Sequence, residues 1–251
     1  MKLEDMIGKV HCADALEFMR GMPDRCIDAI VSDPPYCSGG VSEASRSAAK
    51  GQGVRSENLN RFGWFIGDNM GTAGLVWLIR QISIESFRVL NSNGSMLMFC
   101  DWRMIPNLAP AIESTGFRFQ NLITWYKGSF GLGNGFRCQS EMILHMTTGD
   151  PKYHDKGVGN VIKIKRVKAQ EREHQTQKPI HLLESLIRVV CPVDGIILDP
   201  FFGSGSLGVA AENLNRKWIG IDINPEYVKI ANERIRVETA QLNAFHALHH
   251  K

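Results

Sequence analysis

Four consecutive residues in the N-terminal part of the chain carry groups that are able to do chemistry together. Asp33, Pro34, Pro35 and Tyr36 follow an apolar run that ends at Val31. Proline lacks a backbone N–H and holds φ at about −65°, so the chain after Asp33 is stiff and its carbonyl oxygens are free to accept hydrogen bonds. Asp33 adds a carboxylate acceptor, and Tyr36 adds a flat ring on which another ring can stack. Such a site fits a planar ring with an exocyclic amino group, although the tetrapeptide alone also fits an ordinary turn at a strand end.

A glycine-rich segment far downstream predicts a binding site for a nucleoside cofactor. The run Asp199-Pro200-Phe201-Phe202-Gly203-Ser204-Gly205 lies between a β-branched stretch and a helical pattern. Glycines permit a tight turn and the close approach of a ligand, and the N–H groups at the start of the helix attract an anionic group. A second apolar run ends in Asp222, about twenty residues after the glycines, where an acidic residue commonly binds ribose hydroxyls.

A third motif, His174-Gln175-Thr176-Gln177-Lys178-Pro179, lies between these two segments. In this order the motifs are similar to those of one known family. The chain resembles the S-adenosyl-L-methionine-dependent amino-methyltransferases of DNA, in particular the β class, in which the catalytic motif precedes the cofactor motif, and its N6-adenine type. The resemblance extends from about residue 9 to about residue 235 and includes an acidic turn at Asp14. Ser206 and Leu207 depart from it, because the family often has threonines there, and neither position needs a hydroxyl for the chemistry.

The resemblance implies a role for each matched residue. The implied methyl donor is S-adenosyl-L-methionine, and the implied partner is double-stranded DNA from which the target adenine is flipped out. Asp33 and the Pro34 carbonyl are expected to accept the two N–H bonds of the adenine amino group, and direct in-line transfer needs no covalent enzyme intermediate. The implied catalytic residues are Asp33, Pro34, Pro35 and Tyr36. The implied cofactor-binding residues are Asp14, Thr176, Lys178, Asp199, Phe201, Gly203, Ser204, Gly205 and Asp222.

Three other functions share some of these features. Cytosine N4 methylation needs the same acceptor geometry, and it ranks second because family members with Asp at the first motif position act mostly on adenine. Methylation of RNA or of a protein glutamine amide also fits a planar site, but the motif order and the basic insert favour DNA. A nonenzymatic nucleic-acid-binding module is the alternative from a different class, and the intact catalytic and cofactor motifs argue against it. A homodimer and a cognate restriction enzyme are left open as further partners.

Alternating strand and helix patterns predict one domain over residues 1–251. The expected class is α/β, a Rossmann-like methyltransferase fold with a mainly parallel seven-stranded sheet and helices on both faces. The predicted strands are Gly8 to His11, Ile27 to Ser32, Ser95 to Cys100, Phe119 to Trp125, Glu141 to Met146, Gly195 to Asp199 and Lys217 to Asp222. The predicted helices are Asp14 to Met19, Gly74 to Leu90, Pro106 to Ser114, Pro179 to Val190, Leu207 to Leu214 and Pro225 to Thr239. In the helix from Pro179, the apolar positions at helical spacing are 182, 183, 186, 187 and 190.

Two stretches interrupt this alternation and are candidate DNA-recognition elements. Residues 37–72 form a longer loop than compact domains usually contain, and residues 127–173 combine a glycine-rich loop with the alternating run from Val161 to Lys165. Between Lys152 and Lys178 there are eight Lys or Arg against three acids, a local excess of five positive charges. A solvated surface strand has the same composition. The candidate DNA-binding residues are Arg46, Lys50, Arg55, Arg61, Lys163, Lys165 and Arg166.

The overall composition is that of an ordinary globular protein. The net charge of +3 is too small to indicate a nucleic-acid partner, so the distribution of charge matters more than its sum. Six cysteines form no C-x-x-C pair and have no histidines at metal spacing, so no metal is expected. His246, His249 and His250 are expected to lie in a frayed tail. No apolar run approaches the roughly 18 residues of a membrane span, and the expected location is the cytoplasm.

Overall fold

The computed structural model describes residues 1–36, 71–131, 134–166 and 178–249. Eight strands in these ranges form one sheet, in the order β1-β8-β7-β2-β3-β5-β4-β6. All neighbours pair in parallel except where β5 pairs with β3 and β4. The strands are β1 (Lys9–Cys12), β2 (Ile27–Ser32), β3 (Leu90–Cys100), β4 (Arg118–Tyr126), β5 (Ser140–Thr147), β6 (Val161–Lys163), β7 (Ile196–Asp199) and β8 (Lys217–Asp222).

Helices cover both faces of this sheet. Side chains of α1, α2 and α3 join one apolar cluster with the sheet, and side chains of α4, α5 and α6 join a second cluster with it. The predicted fold class, a mainly parallel α/β sheet covered on both faces, is confirmed. The helices are α1 (Ala15–Arg20), α2 (Thr72–Val89), α3 (Ile105–Glu113), α4 (Ile180–Val190), α5 (Ser206–Asn213) and α6 (Pro225–His249).

The sheet has one strand more than the seven that the sequence predicted. The additional strand is β6, which pairs with β4 through Thr124 opposite Val161 and Tyr126 opposite Lys163. Ile162 is buried while its two neighbours are exposed, which is the burial pattern of a half-buried strand and agrees with the alternation in the sequence. The count was too low because local alternation predicts a strand but not whether a neighbour offers it a free edge.

The central strands bring three chain segments to one edge of the sheet. Ala29, Ile30 and Val31 of β2 are almost completely buried, which is typical of a parallel strand with helices on both faces. Strands β8, β7 and β2 are neighbours and run in parallel, so their carboxyl ends lie at the same edge. The chain leaves β7 towards β8 and β2 towards β3, in opposite directions along the sheet. A ligand crevice is expected at such a divergence, between the ends of β7 and β2.

Helix α4 follows the sequence prediction closely. Its buried side chains are Leu182, Leu183, Leu186, Ile187 and Val190, the same five positions that the helical spacing selects. Pro179 is the N-cap residue, with φ −60° and ψ 134°, rather than the first helical residue. The short loop before α4 therefore ends in a rigid residue, and that loop contains Lys178.

Helix α6 is longer than predicted. The sequence prediction ended it at Thr239 and placed three terminal histidines in a frayed tail, whereas the helix continues to His249 and includes His246. Residues 240–249 contain neither glycine nor proline and are rich in alanine and leucine, which favour helix. His250 lies outside the described residues.

The described ranges contain neither a membrane-spanning helix nor a candidate metal centre. Among the helices in these ranges, none combines the length and the apolar character that crossing a membrane requires. Within the same ranges, no three or more His, Cys, Asp or Glu side chains are grouped so that they could hold a metal ion.

Candidate active site

The catalytic tetrapeptide predicted from the sequence begins where β2 ends, beside the glycine loop that begins where β7 ends. The two strands are paired through Ala29 opposite Ile197 and Ile30 opposite Leu198. One residue before the tetrapeptide, the Ser32 hydroxyl donates a hydrogen bond of 2.7 Å to Oδ1 of Asp199. The structure therefore brings the two predicted motifs together at the edge where the topology places a ligand crevice.

Within the tetrapeptide, both carboxylate oxygens of Asp33 accept a hydrogen bond. Oδ1 accepts one of 2.6 Å from the Tyr36 hydroxyl, and Oδ2 accepts one of 2.5 Å from the Lys178 ammonium. Pro34 is buried, while Asp33, Pro35 and Tyr36 are partly exposed. The side chain of Asp33 is thus held in one orientation and remains partly accessible from the edge of the sheet.

Lys178 is the buried cation of this site, with only 6% of its surface exposed. Its ammonium lies 3.3 Å from Oε2 of Glu141 as well as 2.5 Å from Asp33. The rings of Tyr36 and Phe99 lie beside it, with centroids 5.4 and 4.8 Å from Nζ. The resemblance implied a cofactor contact for Lys178, and the structure places its charge between two carboxylates and two aromatic rings.

These neighbours set the protonation of the site. Burial raises the pKa of Asp33, Lys178 opposes that rise, and the like charge of Glu141 adds to it. Burial disfavours the charged form of Lys178 and so lowers its pKa. The negative charges of Asp33 and Glu141 outweigh burial and hold the pKa of Lys178 above its usual range. Burial raises the pKa of Tyr36 well above its usual range, and the Asp33 charge adds to the effect, so Tyr36 is a hydrogen-bond donor at neutral pH.

The glycine loop between β7 and α5 is tied to the end of β8. Gly203 and Gly205 have φ of 55° and 80°, a region that strongly favours glycine. The Gly203 N–H donates a hydrogen bond of 2.8 Å to Oδ2 of Asp222, whose Oδ1 accepts one of 2.8 Å from the Asn224 N–H. Apart from its two chain neighbours, no described residue has a heavy atom within 4 Å of the position that a Cβ on Gly203 would take, so the loop is open on that side towards the described part of the chain. This open glycine turn beside a carboxylate fits the ribose end of a nucleoside.

Asp199 connects the glycine loop to the end of strand β2. Its carboxylate is buried and accepts hydrogen bonds from the Ser32 hydroxyl and from the Phe201 N–H, the latter at 2.9 Å. Burial raises the pKa of Asp199 to about 7, although both hydrogen bonds act in the opposite direction. Ser204 is also buried in the loop.

Asp14 reaches the same edge from the next strand. Strand β1 pairs with β8 with Cys12 opposite Asp222, and the Ala13 N–H donates to the Asp222 carbonyl. Oδ1 of Asp14 accepts a hydrogen bond of 3.0 Å from the Glu17 N–H and so caps α1. The edge therefore presents Asp14, Asp222, the glycine loop and Asp33 along four neighbouring strand ends, in the order of the sheet.

Sequence reasoning missed Glu141 and Lys127. Glu141 is the second residue of β5 and lies opposite Trp125, and because β5 is antiparallel, its first residues reach the edge where the parallel strands end. The Lys127 ammonium donates a hydrogen bond to Oε1 of Glu141. A lone acid at the start of an apolar strand was the available signal, but its partner depends on strand order and register, which local patterns do not reveal.

Three of the predicted DNA-binding residues lie within the described ranges, whereas the other four and one predicted cofactor contact lie outside them. Lys163, Lys165 and Arg166 are exposed on β6 and the residues after it, and the Lys165 side chain approaches Gly128 at the start of the loop between β4 and β5. That loop exposes Phe130 and Phe136, with the Arg137 guanidinium 5.2 Å from the centroid of the Phe130 ring. Outside the described residues lie Arg46, Lys50, Arg55, Arg61 and Thr176.

Comparison with known proteins places this geometry in a family. The family model described as DNA methylase, N6_N4_Mtase, matches residues 27–233. The type II methyltransferase M2.DpnII of Streptococcus pneumoniae is 30% identical over 250 residues, which cover 91% of this chain and 89% of that protein.

Solved structures agree with the family match. The crystal structure of the M1.HpyAVI-SAM complex superposes with a TM-score of 0.63 and 26% identity, covering 90% of this chain and 98% of that one. PvuII DNA methyltransferase, a cytosine-N4-specific enzyme, superposes with a TM-score of 0.69, covering 94% of this chain and 95% of that one, and at 17% identity it supports the fold alone. The chain belongs to the N6_N4_Mtase family of DNA methylases.

Proposed function

We propose that the protein is a site-specific DNA adenine-N6 methyltransferase that uses S-adenosyl-L-methionine. The observation that carries the proposal is the junction of β2 and β7, where Asp33 and the glycine loop lie at one sheet edge and Ser32 is bonded to Asp199. This arrangement brings an acceptor for an amino group next to a loop suited to a nucleoside. Transfer of a methyl group between two bound molecules requires that proximity.

The residues around the glycine loop fit the cofactor. Bound S-adenosyl-L-methionine supplies an electrophilic methyl group on a positively charged sulfur. Asp222 is suited to its ribose hydroxyls, because the carboxylate is fixed by two backbone N–H groups and is partly exposed. The remaining residues assigned to this end are Asp14, Thr176, Asp199, Phe201, Gly203, Ser204 and Gly205.

The residues around Asp33 fit the target base. The lone pair of an exocyclic amino nitrogen is delocalised into the ring, so the site must localise it and direct it towards the methyl group. Asp33 and the Pro34 carbonyl accept the two N–H bonds, and Tyr36 stacks on the flipped base, which offsets an unstacking cost of a few kcal/mol. The orientation of the Asp33 carboxylate is set before a base binds, because Tyr36 and Lys178 each hold one of its oxygens.

Strand β6 with the residues after it, and the loop between β4 and β5, fit a DNA duplex at the edge where the parallel strands end. Lys163, Lys165 and Arg166 add positive charge beside the loop that exposes Phe130 and Phe136. Cations neutralise phosphates, and exposed aromatic side chains stack on bases or occupy the space that a flipped base leaves. Arg46, Lys50, Arg55 and Arg61 are proposed as further phosphate contacts.

Cytosine N4 methylation is the second candidate. Cytosine also presents an amino group beside a ring nitrogen, and the PvuII enzyme, with a similar fold, is cytosine-N4-specific. We rank adenine above cytosine because the first residue of the proposed catalytic motif is Asp33. In the family that the motifs resemble, members with Asp at this position act mostly on adenine.

One experiment tests both candidates. The protein is expressed in a host without DNA methylation, alongside its Asp33→Asn variant as a matched control, and genomic DNA is examined by single-molecule sequencing and by mass spectrometry of nucleosides. N6-methyladenine at one recognition sequence, absent with the variant, supports the proposal. N4-methylcytosine would select the second candidate, and unmodified DNA together with measurable cofactor binding would favour a nonenzymatic module.

A further inference from the structure

Four charged side chains form a continuous network that extends away from the target site. Asp33 after β2 contacts Lys178 before α4, Lys178 contacts Glu141 on β5, and Glu141 contacts Lys127 after β4. Two cations and two anions leave the network neutral. Partly or fully buried ion pairs persist only when each charge is compensated, so the protonation and position of each member depend on the others.

The Lys178 ammonium is shared unequally between its two carboxylates. It is 2.5 Å from Oδ2 of Asp33 and 3.3 Å from Oε2 of Glu141. Oε2 of Glu141 is buried and accepts no hydrogen bond from any described residue. A buried acceptor without a hydrogen bond is costly, and charge-assisted N–H···O bonds are about 2.7 to 2.9 Å long, so a movement of roughly 0.5 Å would complete one here.

The proposed target competes with Lys178 for the same carboxylate. Tyr36 already occupies Oδ1 of Asp33 and Lys178 occupies Oδ2, while the amino group must also donate to this side chain. An ammonium held tightly by Asp33 withdraws the electron density that the amino group needs. A second acceptor for Lys178 would remove that competition without leaving a buried charge unpaired.

We propose that Glu141 is a positioning residue that takes over the Lys178 ammonium when the target amino group donates to Asp33. The inference rests on the proposed function and deepens it. Lys127 balances the exchange, because it holds Oε1 of Glu141 and leaves Oε2 directed at Lys178. The rings of Tyr36 and Phe99 lie beside the ammonium and attract it in either position.

The exchange also prepares Asp33 for the proton that the reaction releases. The nitrogen lone pair forms the new N–C bond while the S–C bond breaks, and the nitrogen, now positively charged, loses one proton. With Lys178 on Glu141, the carboxylate of Asp33 is more basic and accepts that proton before it passes to solvent. Glu141 therefore acts through Lys178, without contacting the substrate.

The test compares Glu141→Gln with Glu141→Asp, and with Glu233→Gln as a matched control, since Glu233 is an exposed glutamate paired with Arg236. Single-turnover methyl transfer to the sequenced target duplex is measured across pH, beside cofactor affinity. Without the charge of Glu141, Lys178 has only Asp33, so E141Q should transfer about 10- to 100-fold more slowly at unchanged cofactor affinity. E141D keeps the charge and should recover part of the rate, and E233Q should match the wild type.

The pH profile distinguishes this role from a merely structural one. Asp33 is faced by Tyr36 in its own turn, by Lys178 before α4, by Glu141 on β5 and by Asp199 at the end of β7. Glu141→Gln removes a negative charge that raises the pKa of Asp33. The pKa of Asp33 should therefore fall, and the acid limb of the pH–rate profile should move to lower pH. Lys127→Gln draws Lys178 towards Glu141 and should move that limb to higher pH. Asp199 is unchanged in both variants, so the opposite directions isolate the network.

A crystal structure with the target duplex and demethylated cofactor gives a readout independent of activity. In that complex, Nζ of Lys178 should lie closer to Oε2 of Glu141 than to Oδ2 of Asp33. If the wild type transfers methyl groups and E141Q shows the same rate and the same acid limb, Glu141 does not position Lys178. The same conclusion follows if Nζ of Lys178 stays on Asp33 in the complex, and in both cases the proposed function is unaffected. Absence of transfer to any DNA by the wild type would overturn the proposed function together with this role of Glu141.

Discussion

The Ser32 hydroxyl donates a hydrogen bond of 2.7 Å to the buried carboxylate of Asp199, although the two residues are 167 positions apart in the chain. Ser32 directly precedes the predicted catalytic tetrapeptide, and Asp199 begins the glycine loop. The same oxygen of Asp199 accepts the Phe201 N–H at 2.9 Å. The bond thus connects the two halves of the candidate active site at the base of the crevice.

Replacing Ser32 with Ala should lower stability and raise the pKa of Asp199 further, because one hydrogen bond to a buried carboxylate is lost. The expected decrease in the free energy of unfolding is about 1 to 3 kcal/mol. Urea denaturation measures it, with Ser114→Ala as the control, since the Ser114 hydroxyl is exposed and donates to a carbonyl in its own helix turn. Equal losses in the two variants would contradict a special role for the Ser32 bond.

Asp199 should make the stability of the protein depend on pH. Its pKa rises from 3.8 to about 7 on folding because of burial, so the folded state binds the proton more tightly. The stability that Asp199 contributes is complete below its unfolded pKa of 3.8, and it is lost as pH rises from there through the folded pKa of about 7. Relative to Asp199→Asn, the free energy of unfolding of the wild type should fall by up to about 1.4 kcal/mol per pH unit in that window. Denaturation curves whose difference is independent of pH would refute the assignment.

Asp33→Asn should abolish most methyl transfer and leave cofactor affinity intact. The amide keeps the shape of the side chain but loses the charge that accepts the amino group, and loss of one preorganised electrostatic contact commonly costs about 100- to 1000-fold in rate. Methyl incorporation and calorimetry of the cofactor measure the two effects separately. Near-normal turnover would remove Asp33 from the mechanism, and Asp24→Asn, in an exposed ion pair, serves as the control.

Asp222→Ala should chiefly weaken cofactor binding. The carboxylate is proposed to bind the ribose hydroxyls, and it also fixes Gly203 and Asn224 through their N–H groups. Hydrogen bonds to a charged acceptor contribute about 1.5 to 3 kcal/mol each, which sets the expected scale of the loss. Calorimetry of the variant beside Asp150→Ala, a fully exposed aspartate, checks it. An unchanged affinity would place the ribose elsewhere.

Replacing Lys163, Lys165 and Arg166 with Ala should reduce the salt dependence of duplex binding. If each cation neutralises one phosphate, the slope of log K against log salt falls by about 0.9 per contact, hence by about 2.7. Fluorescence titrations at several salt concentrations measure the slope. A triple variant of Lys9, Arg118 and Lys217 is the matched control. Each of these cations is the first residue of a strand that ends at the proposed DNA edge, so all three lie at the opposite edge of the sheet. Equal slopes in the wild type and the first variant would place the duplex on another face.

The sequence by itself determined the features that depend on local chemistry. Buried parallel strands such as β2 are continuous apolar runs, and the buried face of α4 follows helical spacing, so both were predicted within about a residue. The residue types of Asp33 to Tyr36 and of the glycine loop also predict a chemistry for the site, and that chemistry stays a prediction. The prediction for helix α6 ended too early, at Thr239, because the amphipathic periodicity of this helix is weak. The composition of the residues after Thr239 still favours helix.

Only the tertiary structure decided which distant charges meet. Lys178 contacts Asp33 across 145 positions because α4 and β2 pack together, and Glu141 joins them because β5 runs antiparallel and turns its first residues towards the active-site edge. Neither strand order nor register is encoded in local periodicity, since both follow from how the whole chain buries its apolar surface. The network that surrounds Asp33 is therefore a property of the folded sheet.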